Sequence, residues 1–170
     1  MILREKCSPN ARLNNVLEIT DEFLKKNNLE AIITDVDNTL MDYDGNILEG
    51  ISEWIEHLQE SKIKICILTN TKRPNNAKKM SEMLNNIPYV YFGKKPLKSG
   101  FRKAKKILGI EKNEKIAVVG DQLMTDILGA NRNNMFSILV KPLGKNEILP
   151  TRINRIIEKI LFGKSNQEGQ

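Results

Sequence analysis

Five short apolar runs punctuate the chain: Ala31 to Thr34, Ile63 to Leu68, Tyr89 to Phe92, Ile116 to Val119 and Phe136 to Val140. Most are β-branched and continuous rather than alternating. That is the pattern of strands covered on both faces, as in a parallel sheet. Helical periodicity fills the gaps. Ser52 is placed to cap a helix carrying Ile55 and Leu58, and Pro74 suits a first helical position ahead of Ala77, Met80 and Leu84. Ser99 precedes Phe101, Ala104 and Leu108, with Gly109 as a stop. Leu123, Ile127 and Ala130 share another face. Strands alternating with helices in this way predict βαβ units and an α/β fold with a five-stranded, mostly parallel sheet between helical layers. Two outer helices are expected over Leu13 to Lys26 and Thr151 to Phe162. The polar tail 164–170 stands apart from a single domain over 1–163.

Composition narrows the class. The chain has 170 residues with 27 Lys+Arg against 21 Asp+Glu, a formal net charge of +6, and 40% hydrophobic residues. One domain with a real core is the natural reading. No run of about 18 apolar residues offers a membrane span. The opening MILREKC has no apolar stretch of the secretory kind. Cys7 and Cys66 are far apart and form no CxxC pair, which argues against a disulfide scaffold or a thiolate zinc site. A reducing, cytoplasmic location follows. With His57 the lone histidine, chemistry must run on carboxylates, hydroxyls and lysine.

Polar groups of that kind follow the apolar runs. The first ends in TDVDNTL, with Asp35 and Asp37; the second in LTNT, with Thr69 and Asn70. The third is followed by GKKP, with Lys94 and Lys95, and the fourth by GDQLMTD, with Asp121 and Asp126. In an open parallel sheet the carboxyl ends of the strands share one edge, where ligands bind. Carboxylates gathered there need a counter-charge. A hard divalent cation held by Asp35, Asp37, Asp121 and Asp126 is the simplest, and oxygen ligands favour Mg²⁺. Such an ion takes phosphate oxygens as further ligands, and Thr69, Asn70 and Lys95 are placed to hold the phosphate. With no Cys–His or Ser–His pair to act, a carboxylate is the available nucleophile, and Asp35 at the strand tip is the candidate. Asp37 could protonate the leaving group and then activate water.

These residues resemble the four motifs of the haloacid dehalogenase-like (HAD) hydrolase superfamily. DVDNTL is similar to DxDxT, Thr69 to the Ser/Thr closing the second strand, Lys95 before Pro96 to the motif lysine, and GDQLMTD to GDxxxxD. The resemblance implies a Rossmann-like core with Asp35 as nucleophile and Asp37 as acid/base. It implies Thr69 and Lys95 as phosphate ligands, Asp121 as a metal ligand beside Asp35, and Asp126 orienting metal waters or the lysine. Within the superfamily the chain is similar to subclass IIIA, and there to the YqeG-like proteins and mitochondrial phosphatidylglycerophosphate phosphatases. Two departures stand out: TNT at the second motif, where a Ser-Asn-Asn type is usual, and a lysine pair that leaves Lys94 as a substitute for Lys95.

The spacing also speaks to substrate. Asp37 to Thr69 and Thr69 to Lys95 each hold only one helix and one strand, with no room for a cap domain. An open site suits a phosphate borne on something large. The resemblance favours a phospholipid headgroup, phosphatidylglycerophosphate, with peripheral contact at the anionic inner face of a membrane. A stripe of Ile153, Ile156, Ile157, Ile160 and Leu161 edged by Arg152, Arg155 and Lys159 reads either as a membrane-surface helix or as an ordinary helix packed on the core. A nucleic-acid end or phosphoprotein phosphatase is a second reading, although no aromatic-interleaved basic motif favours DNA or RNA. A non-enzymatic phospho-acceptor module is a third; the order of the acidic groups favours the hydrolase.

Overall fold

The computed structural model describes residues 3–42, 44–72 and 74–144. The expected helix over Thr151 to Phe162 and the tail 164–170 lie outside them. After a short helix α1 (Leu3–Lys6), the described chain forms β1 (Ala11–Leu13), α2 (Asp21–Lys26), β2 (Ala31–Thr34), α3 (Ile51–Glu60) and β3 (Lys64–Leu68). It continues through α4 (Pro74–Met83), β4 (Tyr89–Val90), α5 (Lys98–Leu108), β5 (Ile116–Gly120), α6 (Leu128–Arg132) and β6 (Phe136–Val140). Six strands form one sheet in the order β1-β6-β5-β2-β3-β4, and every pairing is parallel.

The sheet therefore has one strand more than the five expected. Ala11–Leu13 joins the outer edge beside β6. The helix expected over Leu13 to Lys26 is correspondingly broken. Asn15 caps a single 3₁₀ turn by accepting from the Leu17 N–H, and Thr20 starts α2 by accepting from the Phe23 N–H. Side chains that bond to nearby backbone favour caps over helix interiors, so this segment cannot run as one helix. The segment's apolar stripe is real all the same: Val16, Ile19 and Leu24 are buried.

Burial explains the continuous apolar runs. Along β2 and β3, alternate side chains go to opposite faces of the sheet. Ile32, Ile65 and Ile67 join a core shared with Trp54, Ile55 and Leu58 of α3. Ala31, Ile33, Cys66 and Leu68 join a second core under Phe101 and Ala104 of α5. Both faces need apolar residues, so polar alternation is lost. Pro74 and Gly109 mark helix ends as expected, with Gly109 left-handed at φ 63°. Ser52 does not cap α3; Gly50, at φ 88°, takes that position. Ser99 likewise lies inside α5, which begins at Lys98. The helix expected from Leu123 opens with a wide π-type turn over Leu123–Ile127 before α6.

Candidate active site

The chain steps from β2 to β3 and β4 on one side, then returns to β5 on the other side of β2. The sheet's topological switch point thus lies between the carboxyl ends of β2 and β5, where ligands of open α/β sheets bind. Thr34 pairs with Val119, and the Asp35 N–H continues the ladder by donating to the Val119 carbonyl at 2.9 Å. Asp35 and Asp121 are in this way delivered side by side.

The side chains converge there. One carboxylate oxygen from each of Asp35, Asp121 and Asp126 lies within 4.8 Å of the others. All three residues are buried. The Lys95 ammonium is 2.9 Å from Asp35 Oδ1 and 2.7 Å from Asp126 Oδ1, with its side chain only 3% exposed. A buried lysine needs such partners, because burial alone disfavours its charge. Here burial works against the ammonium, but Asp126 and then Asp35 overcome it and hold the lysine charged, above its ordinary range. Asp126 is pushed upward chiefly by burial, with Lys95 opposing that shift.

Two close approaches build this arrangement. A Cβ on Gly120 would stand 2.2 Å from the Asp126 carboxylate, so glycine at the end of β5 lets Asp126 fold back. The Gln122 N–H then donates to Asp126 Oδ2 at 3.2 Å. A Cβ on Gly100 would stand 2.2 Å from the Gly93 carbonyl oxygen. Glycine in the first turn of α5 thus lets the loop carrying Lys95 lie against that helix.

Asp37 stands apart. Its carboxyl does not belong to the Asp35–Asp121–Asp126 group, so its expected place among the side-chain metal ligands finds no support in the geometry. It is half-buried. Burial first, and the Asp35 charge second, raise its pKa from 3.8 to about 6, against a smaller opposing effect of Lys95. That is a carboxyl able to carry a proton near neutrality.

Thr69 is fully buried at the end of β3 and accepts from the Thr71 N–H at 3.2 Å. Asn70, expected to touch the phosphate, makes a reciprocal pair with the Lys95 backbone. Its Oδ1 accepts from the Lys95 N–H at 2.7 Å, and its Nδ2 donates to the Lys95 carbonyl at 3.2 Å. Asn70 therefore positions the loop, which includes a cis Lys95–Pro96 peptide. Lys94 turns away from the carboxylates, its ammonium 4.8 Å from the Phe92 ring centroid. Asn38 was not singled out from the sequence. It sits at φ 60°, and its backbone carbonyl and Oδ1 accept from Leu143 and Gly144. Asparagine's tolerance of left-handed turns was the available signal.

Three clustered carboxylates beside a single lysine form an oxygen-only donor set that fits a hard divalent cation. Among the described residues, no domain is inserted between β2 and β3 or between β3 and β4. Fold and site define the class, a Rossmann-like α/β hydrolase. Residues 43–134 match the haloacid dehalogenase-like hydrolase family, and the chain belongs to it, as an enzyme of the phosphatase type. It is 37% identical over 169 residues to the probable phosphatase YqeG of Bacillus subtilis, covering 99% of this chain and 96% of that protein. Its fold is similar to a putative beta-phosphoglucomutase from Thermotoga maritima, with TM-score 0.57, 14% identity and coverage of 78% and 100% of the two chains. An uncharacterized Listeria monocytogenes protein is similar at TM-score 0.54 and 18% identity, covering 72% and 88%.

Proposed function

We propose that this enzyme is a Mg²⁺-dependent phosphomonoesterase that works through an aspartyl-phosphate on Asp35. Its favoured substrate is phosphatidylglycerophosphate, cleaved to phosphatidylglycerol and inorganic phosphate. The observation that carries the reading is the placement of the Asp35 carboxylate at the switch point, ion-paired with Lys95 and within 4.8 Å of the Asp121 and Asp126 oxygens. Bound by Asp35, Asp121 and Asp126, a divalent cation would supply positive charge to offset both the carboxylates and the phosphate oxygens.

The chain's own residues carry the chemistry. An Asp35 oxygen attacks phosphorus, and the bond from phosphorus to the leaving oxygen breaks. Asp37, its proton retained by burial and by the Asp35 charge, protonates that oxygen. As a carboxylate it then takes a proton from the water that attacks the aspartyl-phosphate. This releases phosphate and restores Asp35. The Lys95 ammonium and the Thr69 hydroxyl hold phosphate oxygens while charge shifts across the transferring group.

The sequence motifs resembling lipid-phosphate phosphatases, and a rim without an inserted lid among the described residues, support a phosphate presented on a large body. The test is phosphate release from phosphatidylglycerophosphate in mixed micelles with Mg²⁺, beside hydrolysis of p-nitrophenyl phosphate. Hydrolysis of the generic ester alone would remove the lipid substrate and keep the phosphatase. Inactivity on both would remove the reading altogether.

A further inference from the structure

Strand β4 is an edge of the sheet, and the surface it forms with α5 carries unusual exposed apolar area. Tyr91, Phe92 and Ile107 are 45%, 43% and 48% exposed. With Lys103 and Lys106 they line a groove of about 480 Å³. Phe92 also sits at φ 48°, a left-handed conformation that disfavours a bulky side chain and suits glycine or asparagine. Its exposed ring recovers little burial in return.

Charge surrounds these side chains. Of the five cationic residues of helix α5, KSGFRKAKKIL, Lys103 and Lys106 line the groove. The Lys72 and Lys94 ammoniums lie 5.7 and 4.8 Å from the Phe92 ring centroid. Among the described residues, no acidic one lines the groove. Exposed apolar side chains ringed by lysines are the composition of a headgroup-level contact, in which the apolar groups enter the interface and the ammoniums meet lipid phosphates. Nucleic acid fits less well: lysines already occupy the Phe92 ring, and Ile107 offers no stacking face.

The face adjoins the catalytic rim. The Phe92 N–H donates to the Thr71 carbonyl at 2.7 Å, and the Gly93 N–H to the Thr69 carbonyl at 2.9 Å. Lys95 follows in the same loop. We propose that the β4–α5 face docks on an anionic lipid bilayer, inserting Tyr91, Phe92 and Ile107 among headgroups while Lys72, Lys94, Lys103 and Lys106 meet lipid phosphates. Docked in this way, the open site receives a phosphate from the membrane surface. That purpose rests on the lipid-phosphatase reading; the binding itself does not.

The experiment is co-sedimentation of the full chain with vesicles of phosphatidylcholine alone or mixed with phosphatidylglycerol, at low and high salt. Hydrolysis of p-nitrophenyl phosphate is followed in parallel. Binding to the mixed vesicles only, weakened by salt, is expected. The double variant Phe92→Asn/Ile107→Gln should weaken vesicle binding about tenfold or more through lost apolar insertion. It should leave hydrolysis of the soluble ester unchanged, since asparagine suits the left-handed backbone and glutamine suits the helix. Lys103→Glu/Lys106→Glu should abolish the phosphatidylglycerol dependence. Absence of anionic-lipid binding overturns the proposal, as does vesicle binding that the Phe92/Ile107 variant leaves intact. Tighter binding to a single-stranded oligonucleotide, or a self-association of the chain that the same variant abolishes, would assign the face to those occupants instead. Vesicle binding by a chain that releases phosphate from neither p-nitrophenyl phosphate nor phosphatidylglycerophosphate would instead uphold the docking and sink the phosphatase reading.

Discussion

Asp35 and Asp37 are two residues apart, yet their surroundings give them different tasks. Asp35 lies against the Lys95 ammonium at 2.9 Å, which fixes its carboxylate at the tip of β2, where the proposed nucleophile has to stand. Asp37 is raised to about 6, which favours the acid that a leaving group requires. Asp35→Asn should lower turnover of p-nitrophenyl phosphate by about 10³-fold or more. Circular dichroism should show the fold retained, because Lys95 keeps Asp126 as its partner. For Asp37 the sign of the stability effect follows from its shift. A carboxyl raised from 3.8 to about 6 on folding binds its proton more tightly in the native state. Its contribution to stability is therefore most favourable below pH about 4, falls as pH rises through about 6, and stays unfavourable above. Asp37→Asn should accordingly stabilise the metal-free protein at pH 7 by about 1–3 kcal/mol, read by urea denaturation, while abolishing turnover. A variant less stable than the parent would mean that Asp37 is held by interactions stronger than its desolvation.

At the scale of elements, the site depends on how loops are pinned after strands end. The two hydrogen bonds between Asn70 and the Lys95 backbone tie the end of β3 to the loop that carries the ammonium. Asn70→Ala should lower kcat on p-nitrophenyl phosphate about 10–100-fold through misplacement of Lys95. Asn70→Asp should rescue little, since a carboxylate cannot donate to the Lys95 carbonyl. Gly120→Ala places a methyl 2.2 Å from the Asp126 carboxylate. It should destabilise by about 1–3 kcal/mol in thermal denaturation and lower activity with it. Legibility at this scale was uneven. The strands at Ala31 and Phe136 and the stop at Gly109 were readable, because hydrophobic runs and a left-handed glycine are local signals. Ala11–Leu13 was not: Arg12 interrupts the run, and the strand exists by pairing with β6. Asn70 was noticed for its position, but its bonds to the Lys95 backbone were not foreseen. Whether an amide meets substrate or backbone depends on a loop 25 residues away.

At the scale of the molecule, parallel topology gathers four charged groups into one buried cluster, with three carboxylates against one ammonium. Such an excess of negative charge favours a divalent partner. Mg²⁺ should raise the thermal midpoint at pH 7.5. The gain at a concentration about a hundredfold above Kd should be about 2.7 kcal/mol, reversed by EDTA and diminished at pH 5, below the value of about 6 to which burial raises Asp126. Asp121→Asn should suppress the shift, measured by differential scanning fluorimetry. An equal shift in that variant would place the ion elsewhere.

The chain's order of residues was enough to establish the alternation of strands and helices, and which acids and lysine lie just beyond strand ends. These are local properties: burial on two faces dictates continuous apolar runs, and polar groups must wait until the strand leaves the core. The folded molecule alone decided that Asp37 stands outside the group formed by Asp35, Asp121 and Asp126, that Asn70 pins the Lys95 backbone, and that Phe92 and Ile107 share an exposed groove. Those outcomes depend on strand order and on the direction each side chain takes after its strand ends. Both are set by packing between segments remote in sequence, which no local pattern records.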